Sequence, residues 1–422
     1  MKMNLRFKAI IALIGTFLLS AGFATSVQAS SVTDQPVIAA KAAIAVDART
    51  GQILYQKNAN QALPIASVSK LMTIYIVHQQ IKQKKLAWDD QVTISPAIAK
   101  LSTASGLTNV PLTAGKSYSV RQLVNATLVA SANAAALALG QKVAGTPVKF
   151  AKLMTQTAKQ IGIKDAKFYN ASGLTNKLTG GLALANVSGD AENELSASDV
   201  ALLASKLMKT FPRVTEITKK TASTFYGTAI TGHNQLLNDH QIAKGVVVDG
   251  LKTGTSDKAG ACFVGSATRK HHRIITVVLG SRNKSATDPA RFIQTAKLMR
   301  YVFTKQHPIT LSKGSQIKGV DKATVPDGKQ VDVQPVVKKT TWVWAPKNVS
   351  KQQVQGKYVH LNQKIAAPAK KGTAAGKTQL TYKQGLPKYL QTEDSEVQLV
   401  TNQSIKKANP FILLWRAILR LF

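Results

Sequence analysis

A long helix-periodic stretch with strand-like segments on both sides most constrains the fold of this chain. From Pro64 to about Met208, apolar residues recur at the spacing of amphipathic helices. Residues 41–57 read as a β-hairpin before it. Strand-like runs follow at residues 246–248, 262–267 and 274–279, and a helical run follows at residues 290–303. This order predicts an α+β domain, an antiparallel sheet interrupted by a large helical insertion, over residues 30–305.

A change of pattern after about Gln306 predicts a second domain. The helical periodicity ends, and short strand-like pieces alternate with Gly and Pro turns at residues 339–344, 379–382 and 397–400. We expect a small all-β domain over residues 306–400.

The first 29 residues have the pattern of a signal peptide. Lys2, Arg6 and Lys8 precede an apolar run that ends before the small-residue site at Ala29. The run is shorter than the roughly 20 residues that a membrane span needs. We therefore expect cleavage after Ala29 and secretion across the cytoplasmic membrane to the outer face of the cell membrane or the cell wall.

The tail, residues 401–422, predicts a second kind of membrane contact. Asn409 and Pro410 suit the N-cap and first position of a helix, which is too short to span a bilayer. Arg416 and Arg420 lie one turn apart on one face, and the other positions are mostly apolar. We expect an amphipathic helix on an anionic membrane surface; the alternative is docking on the protein's own body.

The charge balance points to an anionic environment. The chain has 56 Lys and Arg residues against 20 Asp and Glu, a net charge of +36. The charge is spread along the chain without an aromatic-lined basic groove, so nucleic acid is not expected as a partner. The single cysteine, Cys262, excludes an intramolecular disulfide framework. No histidine motif for a metal and no phosphate-binding loop occurs, so no cofactor or metal is expected.

Three short motifs carry the candidate chemistry: Ser67-Val-Ser-Lys70, Ser131-Ala-Asn133 and Lys252-Thr-Gly254. Each alone is weak, because such short patterns arise by chance. Together, in this order and in these settings, they are specific for nucleophilic acyl transfer.

The residue types explain the chemistry. Ser67 is expected at a helix N-terminus with Lys70 on the same face, where a neutral amine could take the serine proton. Burial and the cation of Lys252, on an edge strand, would lower the pKa of Lys70. Ser131 would relay a proton and Asn133 would hold the substrate's peptide group. Gly254 would let the strand approach closely, so that the N–H groups of Thr255 and Ser67 form an oxyanion hole.

These motifs resemble the low-molecular-mass penicillin-binding proteins that act as serine-type D-alanyl-D-alanine carboxypeptidases. Further likeness lies in residues 46–51, 66–73, 170–174, 196–199, 234–237 and 248–260, and more weakly in residues 367–376 and the tail. The resemblance implies a transpeptidase-like fold shared with β-lactamases, followed by the family's β domain and membrane anchor.

The resemblance also implies the reaction. Ser67 would attack the carbonyl between the two terminal D-alanines of a peptidoglycan stem peptide, D-alanine would leave, and water would hydrolyse the ester. A β-lactam would acylate the same serine. Two positions depart from the family: Ala134 replaces a usual acidic residue, and His233 replaces an arginine that often binds the substrate carboxylate. Lys252, Thr253 and Thr255 are then expected to carry more of that recognition.

Two other functions compete with this interpretation. A class A β-lactamase shares the three motifs but needs a positioned glutamate for deacylation, and Glu192 and Glu194 lie outside the pattern typical of that class. A non-catalytic protein could instead use its positive charge to bind the anionic cell wall, although the intact motifs argue against this.

Overall fold

The computed structural model describes residues 35–237, 242–285, 287–361, 364–383 and 385–419. The predicted signal peptide, residues 1–29, and Arg420 of the predicted tail helix lie outside these residues. Residues 36–422 form one contact-dense unit, to which all elements below belong.

A five-stranded antiparallel sheet forms the centre of the first part of this unit. Its strands are β1 (Ala42–Asp47), β2 (Ile53–Lys57), β9 (Val247–Ser256), β10 (Gly260–Arg269) and β11 (His272–Ser281). They lie in the order β2-β1-β11-β10-β9, so β9 is an edge strand. The predicted hairpin and the three later strands are confirmed, although β9, β10 and β11 extend several residues beyond the predicted runs.

The insertion between β2 and β9 is mainly helical, as predicted. Its helices are α1 (Lys70–Lys82), α2 (Pro96–Ser102), α3 (Val120–Leu128), α4 (Asn133–Ala144), α5 (Pro147–Gln160), α6 (Ala197–Thr210) and α7 (Val214–Thr218). Short strands lie between them: β3 (Leu63–Pro64), β4 (Gln91–Thr93), β5 (Ser117–Ser119), β6 (Glu194–Leu195), β7 (Ala222–Phe225) and β8 (Thr228–Thr231). Helix α1 is buried from Lys70 to His78, so it forms the centre of this layer.

Two hydrophobic clusters cover the two faces of the central sheet, because side chains alternate along each strand. On one face, Ile44 and Val277 pack with the helical insertion. On the other face, Phe263 and Val278 pack with α8 (Ala290–Lys305). The sheet is therefore a middle layer between helices, and α8 confirms the helix predicted at residues 290–303.

The region after α8 is rich in strands, as the α+β prediction with a following β domain requires. Its strands are β12 (Gln306–Leu311), β13 (Ala323–Thr324), β14 (Asp332–Val333), β15 (Pro335–Val337), β16 (Thr341–Pro346), β17 (Gln355–Leu361), β18 (Ala374–Thr381) and β19 (Glu396–Thr401). Strands β15, β19, β18 and β17 form a four-stranded sheet, and β12 pairs with β16.

A buried carboxylate joins this β region to the central sheet. Asp47, at the end of β1, is fully buried, and its Oδ2 accepts hydrogen bonds from the indole nitrogens of Trp342 (2.8 Å) and Trp344 (2.7 Å) on β16. Its Oδ1 accepts from the backbone of Arg49 and Thr50. One side chain therefore fixes a turn in the first sheet and a strand of the β region.

The last described element is α9 (Pro410–Leu419). Asn409 Oδ1 accepts a hydrogen bond from the Ile412 N–H at 2.9 Å, which confirms the predicted cap. Phe411, Leu414 and Trp415 are 83%, 63% and 62% exposed, whereas Arg416 donates to the carbonyls of Pro326 and Gly328. Among the described residues, none of the helices combines the length and apolar character that a bilayer crossing needs.

Candidate active site

Ser67 lies in a single 3₁₀ turn, Ala66–Ser69, that leads directly into α1. The residue is half-buried. Ala66 has a φ of 45°, and Gly173 packs against it so closely that a Cβ on Gly173 would lie 1.9 Å from the Ala66 oxygen. The predicted helix N-terminus is confirmed, with a 3₁₀ turn between the serine and the α-helix.

Lys70 opens α1 and has three polar neighbours. Its Nζ lies 2.7 Å from Ser67 Oγ, 2.7 Å from Asn133 Oδ1 and 2.8 Å from the Ser172 carbonyl oxygen. The residue is fully buried. Burial, followed by the nearby Lys252 cation, holds the pKa of Lys70 well below its usual 10.5.

This geometry suits a neutral amine. The Asn133 and Ser172 oxygens are acceptors only, so they take two N–H groups of Lys70. The third contact is with a hydroxyl, which can donate its proton to the lone pair of a neutral Nζ. Lys70 is therefore placed to accept the Ser67 proton.

The Ser172 carbonyl is a contact that sequence reasoning missed. Asn170 Oδ1 accepts from the backbone N–H groups of Ser172 (3.0 Å) and Gly173 (2.8 Å), which closes a tight turn and aims the Ser172 carbonyl at Lys70. The segment 170–174 was recognised only as a family landmark. Every residue has a backbone carbonyl, so a contact made by this group cannot be recognised from the residue type.

Ser131 lies in the connection from α3 to α4, and Asn133 is the first residue of α4. Ser131 has a φ of 58°, is 5% exposed, and accepts a hydrogen bond from Lys252 Nζ at 2.8 Å. Asn133 Nδ2 donates to the Thr108 carbonyl at 2.9 Å, which orients Oδ1 toward Lys70. One N–H of Nδ2 remains for another partner.

Lys252 reaches the site from edge strand β9, as predicted. It is 4% exposed, and its Nζ also donates to the Thr253 carbonyl at 2.9 Å. Burial, followed by the charge of Arg291, lowers the pKa of Lys252 to about 7. The first and third motifs therefore hold two buried amines, each next to a different serine hydroxyl.

Gly254 permits the close approach of β9 to the serine turn. A Cβ at this position would lie 2.6 Å from the Ile65 oxygen and 3.1 Å from the Val68 nitrogen. The next residue along β9, Thr255, is exposed. This confirms the predicted reason for a glycine in the third motif.

Arg291 is a further residue of the site that the sequence analysis missed. It lies on α8, is 5% exposed, and its Nη1 donates to Thr255 Oγ1 at 2.7 Å and to the Gly254 carbonyl at 2.9 Å. Its Nε is buried without a hydrogen-bond partner among the described residues. A cation behind β9 therefore supports the strand that carries the third motif.

His233 lies beside the second motif. Its Nε2 is 3.4 Å from the Ala130 carbonyl oxygen. Partial burial of the ring, followed by the Lys252 cation, lowers the pKa of His233 from 6.5. Ala134, the other departure from the family, is fully buried, and its N–H donates to Asn109 Oδ1.

The glutamate that a class A β-lactamase would need is not hydrogen-bonded at this site. Glu192 is buried and accepts a hydrogen bond from Ser256 Oγ at 2.7 Å. Within the described part of the chain, no glutamate hydrogen-bonds to Ser67, Lys70 or Ser131. Three or more His, Cys, Asp or Glu side chains grouped to hold a metal ion are likewise not found there.

Comparison with known proteins gives consistent results over most of the chain. Residues 29–283 match the family described as D-alanyl-D-alanine carboxypeptidase, and residues 305–407 match the C-terminal domain of penicillin-binding protein 5. D-alanyl-D-alanine carboxypeptidase DacC of Escherichia coli is 30% identical over 83% of this chain and 82% of its own length. DacF of Bacillus subtilis is 28% identical over 86% and 87%.

Solved structures agree in fold. PBP3 of Streptococcus pneumoniae, described as a peptidoglycan synthesis regulatory factor, is 37% identical, with a TM-score of 0.77 over 88% of this chain and 100% of its own. Penicillin-binding protein D2 of Listeria monocytogenes, solved in a cefotaxime-bound form, is 36% identical, with a TM-score of 0.54 over 64% of this chain and 100% of its own.

Proposed function

The chain belongs to the D-alanyl-D-alanine carboxypeptidase family, and we propose that Ser67 is its acylated residue. It is a serine-type D-Ala-D-Ala carboxypeptidase with a penicillin-binding fold. The observation that carries the residue assignment is the 2.7 Å contact between Ser67 Oγ and the buried Nζ of Lys70. The family membership supports this function over the β-lactamase and wall-binding alternatives.

In the acylation step, Ser67 Oγ attacks the carbonyl carbon between the last two D-alanines, and the Ser67 proton moves to Lys70 Nζ. The backbone N–H groups of Ser67 and Thr255 stabilise the negative oxygen of the tetrahedral intermediate. The C–N bond then breaks. Lys70 gives the proton that it took from Ser67 to the departing amine, with the Ser131 hydroxyl as the relay, so D-alanine leaves, an ester of Ser67 remains and Lys70 is neutral again.

Water completes the cycle. Lys70 takes a proton from the attacking water, the ester carbonyl bond to Ser67 breaks, and the serine oxygen regains its proton. Asn133 holds Lys70 in place and uses its remaining N–H for the substrate's peptide group. Lys252, Thr253, Thr255 and His233 bind the substrate's terminal carboxylate, with Arg291 supporting Thr255 from behind.

We also propose where the enzyme acts. The family's substrate is peptidoglycan, and residues 1–29 have the pattern of a signal peptide, so the mature chain would be secreted. The exposed apolar side chains of α9 would bind an anionic membrane surface. Ile405 and Ala408 are buried in the β region, so we place the β domain at residues 306–408 and the anchoring tail after it.

Mass spectrometry of the purified mature chain with a peptide ending in D-Ala-D-Ala tests the enzymatic assignment. We expect release of one D-alanine, blocked by penicillin together with a covalent adduct on the peptide that contains Ser67. An adduct on a different residue would refute the site. An adduct without alanine release would instead favour another acyl-transfer substrate.

Co-sedimentation with phosphatidylglycerol vesicles tests the membrane surface. Simultaneous Phe411→Ser, Leu414→Ser and Trp415→Ser changes should abolish binding, because they remove the exposed apolar area. Val148→Ser, at another exposed apolar position, is the matched control and should bind normally. Full binding by the triple variant would contradict the proposed anchor.

A further inference from the structure

A cavity of about 810 Å³ lies at the end of α1 remote from Ser67. The end of α1, helix α3, the α6–α7 connection, α7 and strand β7 contribute its walls. Its volume falls within the range of about 300–1,000 Å³ that is typical of small-molecule sites. Helix α1 has 13 residues, which separates its two ends by roughly 20 Å at about 1.5 Å per residue. The cavity is therefore distinct from the acyl-transfer site.

The interior wall is apolar and aromatic. His78, Trp88, Phe211 and Ile217 line it. The His78 ring contacts Trp88 edge-on, with centroids 4.9 Å apart, and lies 4.5 Å from the Phe211 ring. These aromatic faces suit an apolar ligand body rather than a highly charged one.

His78 adds a second observation. It is 6% exposed, and its Nε2 has no hydrogen-bond partner among the described residues. Burial lowers the pKa of His78 to about 4, so the ring is neutral at neutral pH. A buried polar atom without a partner is costly unless a water molecule or a ligand satisfies it, so Nε2 is free to accept or donate a hydrogen bond inside the cavity.

The rim of the cavity is basic. Lys82, Arg121, Arg213 and Lys220 line it, and Glu216 is the acidic residue among the lining side chains. Arg121 pairs with Asp89 and stacks over Trp88, and Arg213 pairs with Glu216. Lys82 and Lys220 are exposed, and neither side chain has a hydrogen-bond or ion-pair partner within the described part of the chain. Two rim cations are thus available to a ligand.

We propose that this cavity binds an anionic amphiphile with a single acyl chain, whose chain enters the aromatic interior while its carboxylate pairs with Lys82 and Lys220. An apolar interior with a basic rim matches both parts of such a molecule. A neutral lipid would leave the two lysines unused, and a small inorganic anion would leave the aromatic wall unused.

Fluorescence quenching tests the site with bromine-labelled dodecanoate, used below its micelle concentration and with the full chain. Bromine quenches nearby tryptophans, and Trp88 lines the cavity. We expect saturable quenching that Trp88→Phe abolishes. Trp415→Phe is the necessary control, because the exposed Trp415 of α9 also attracts amphiphiles, and this variant should retain the saturable signal.

Charge and shape are tested by separate variants. Combined Lys82→Gln and Lys220→Gln changes should weaken dodecanoate binding about fivefold, given two exposed ion pairs. Lys85→Gln and Lys219→Gln, at exposed neighbouring positions outside the wall, should leave it unchanged. Thr224→Phe, on the exposed part of the wall, should narrow the cavity and weaken the saturable quenching of Trp88 without adding a second tryptophan.

Three results would overturn the proposal. One is dodecanol binding as tightly as dodecanoate, which would show that the rim charges are not used. The second is quenching that persists in Trp88→Phe but disappears in Trp415→Phe, which would place the ligand on the tail helix. The third is unchanged binding in the Lys82→Gln and Lys220→Gln double variant. None of these results depends on whether Ser67 is the nucleophile.

Discussion

Burial and then the Lys252 cation lower the pKa of Lys70, and each of these two buried lysines contacts a different serine hydroxyl. Lys70 lies next to Ser67 and Lys252 next to Ser131. The pair can therefore divide the work, with a neutral amine as base and a second amine that carries positive charge.

The acylated serine is the first prediction. Ser67→Ala should abolish alanine release and covalent labelling by fluorescent penicillin, because among the described residues Ser67 supplies the one hydroxyl that hydrogen-bonds to the Lys70 amine. Ser69→Ala is the matched control in the same turn. Its hydroxyl is buried without a hydrogen-bond partner among the described residues, so labelling should persist. If fluorescent penicillin still labels the Ser67→Ala protein, Ser67 is not the acylated nucleophile.

The pH dependence of kcat/KM follows from the two lysines. Activity should fall as the pH drops through the lowered pKa of Lys70, because the protonated amine cannot accept the serine proton. It should also fall above about 7, where Lys252 loses its positive charge. We expect a bell-shaped profile. Lys252→Arg keeps its charge at high pH, so the alkaline limb should shift to higher pH while the acid limb stays at the same pH. An unchanged alkaline limb would show that Lys252 does not cause it.

Arg291 should influence the same alkaline limb from behind β9. Its charge contributes to the lowered pKa of Lys252, so Arg291→Met should raise that pKa and shift the limb to higher pH. Loss of the hydrogen bond to Thr255 should lower kcat/KM at every pH. Comparison of full pH profiles separates the two effects. If activity falls equally at every pH and the alkaline limb does not shift, Arg291 supports Thr255 structurally but does not influence the pKa of Lys252.

Close packing of β9 on the serine turn gives a steric prediction. Gly254→Ala would place a Cβ 2.6 Å from the Ile65 oxygen, which must push the strand away from Ser67. We expect penicillin acylation to slow by about tenfold or more, because a small displacement of reacting groups lowers the rate strongly. We also expect a destabilisation of about 1–3 kcal/mol, typical of overpacking. Gly181→Ala is the control, because its Cβ would meet only Ala97 at 3.6 Å. Normal acylation by Gly254→Ala would contradict the proposed spacing.

The Asp47 carboxylate should be important for stability rather than for chemistry. Asp47→Asn places an amide N–H₂ against groups that are themselves donors, including the indoles of Trp342 and Trp344. We expect the free energy of unfolding to fall by about 1–3 kcal/mol in thermal or denaturant unfolding. Asp89→Asn, at an exposed ion pair with Arg121, should change it little. If Asp47→Asn and Asp89→Asn lower the free energy of unfolding equally, the hydrogen bonds of Asp47 to the two tryptophans do not contribute more to stability than an exposed ion pair.

The sequence predicted the parts of the site that local patterns encode. The Ser67 and Lys70 spacing follows from helical periodicity, and the glycine at 254 follows from the need for close approach. Arg291 and the Ser172 carbonyl could not be found in this way. Arg291 acts across 36 residues from Thr255 through packing of α8 on the sheet, and Ser172 acts through its backbone.

The same distinction explains the fold. The order of strands, helical insertion and β domain was predicted because periodicity is local. The length of β9 was not, because an edge strand with Gly250, Lys252 and Gly254 lacks the continuous apolar run of a central strand. The junction at Asp47 joins residues almost 300 positions apart, so only the three-dimensional structure reveals it.

The hydrogen bonds of Arg416 to the carbonyls of Pro326 and Gly328 limit how far the rest of the enzyme can move from its proposed membrane-binding helix. They attach α9 directly to the β domain, so the proposed anchor is not connected to it through a flexible linker alone. An enzyme held in this way would meet its membrane at a set angle. The distance of Ser67 from the membrane surface, and therefore the layer of the cell wall that it can reach, would then be determined by the structure of the protein itself.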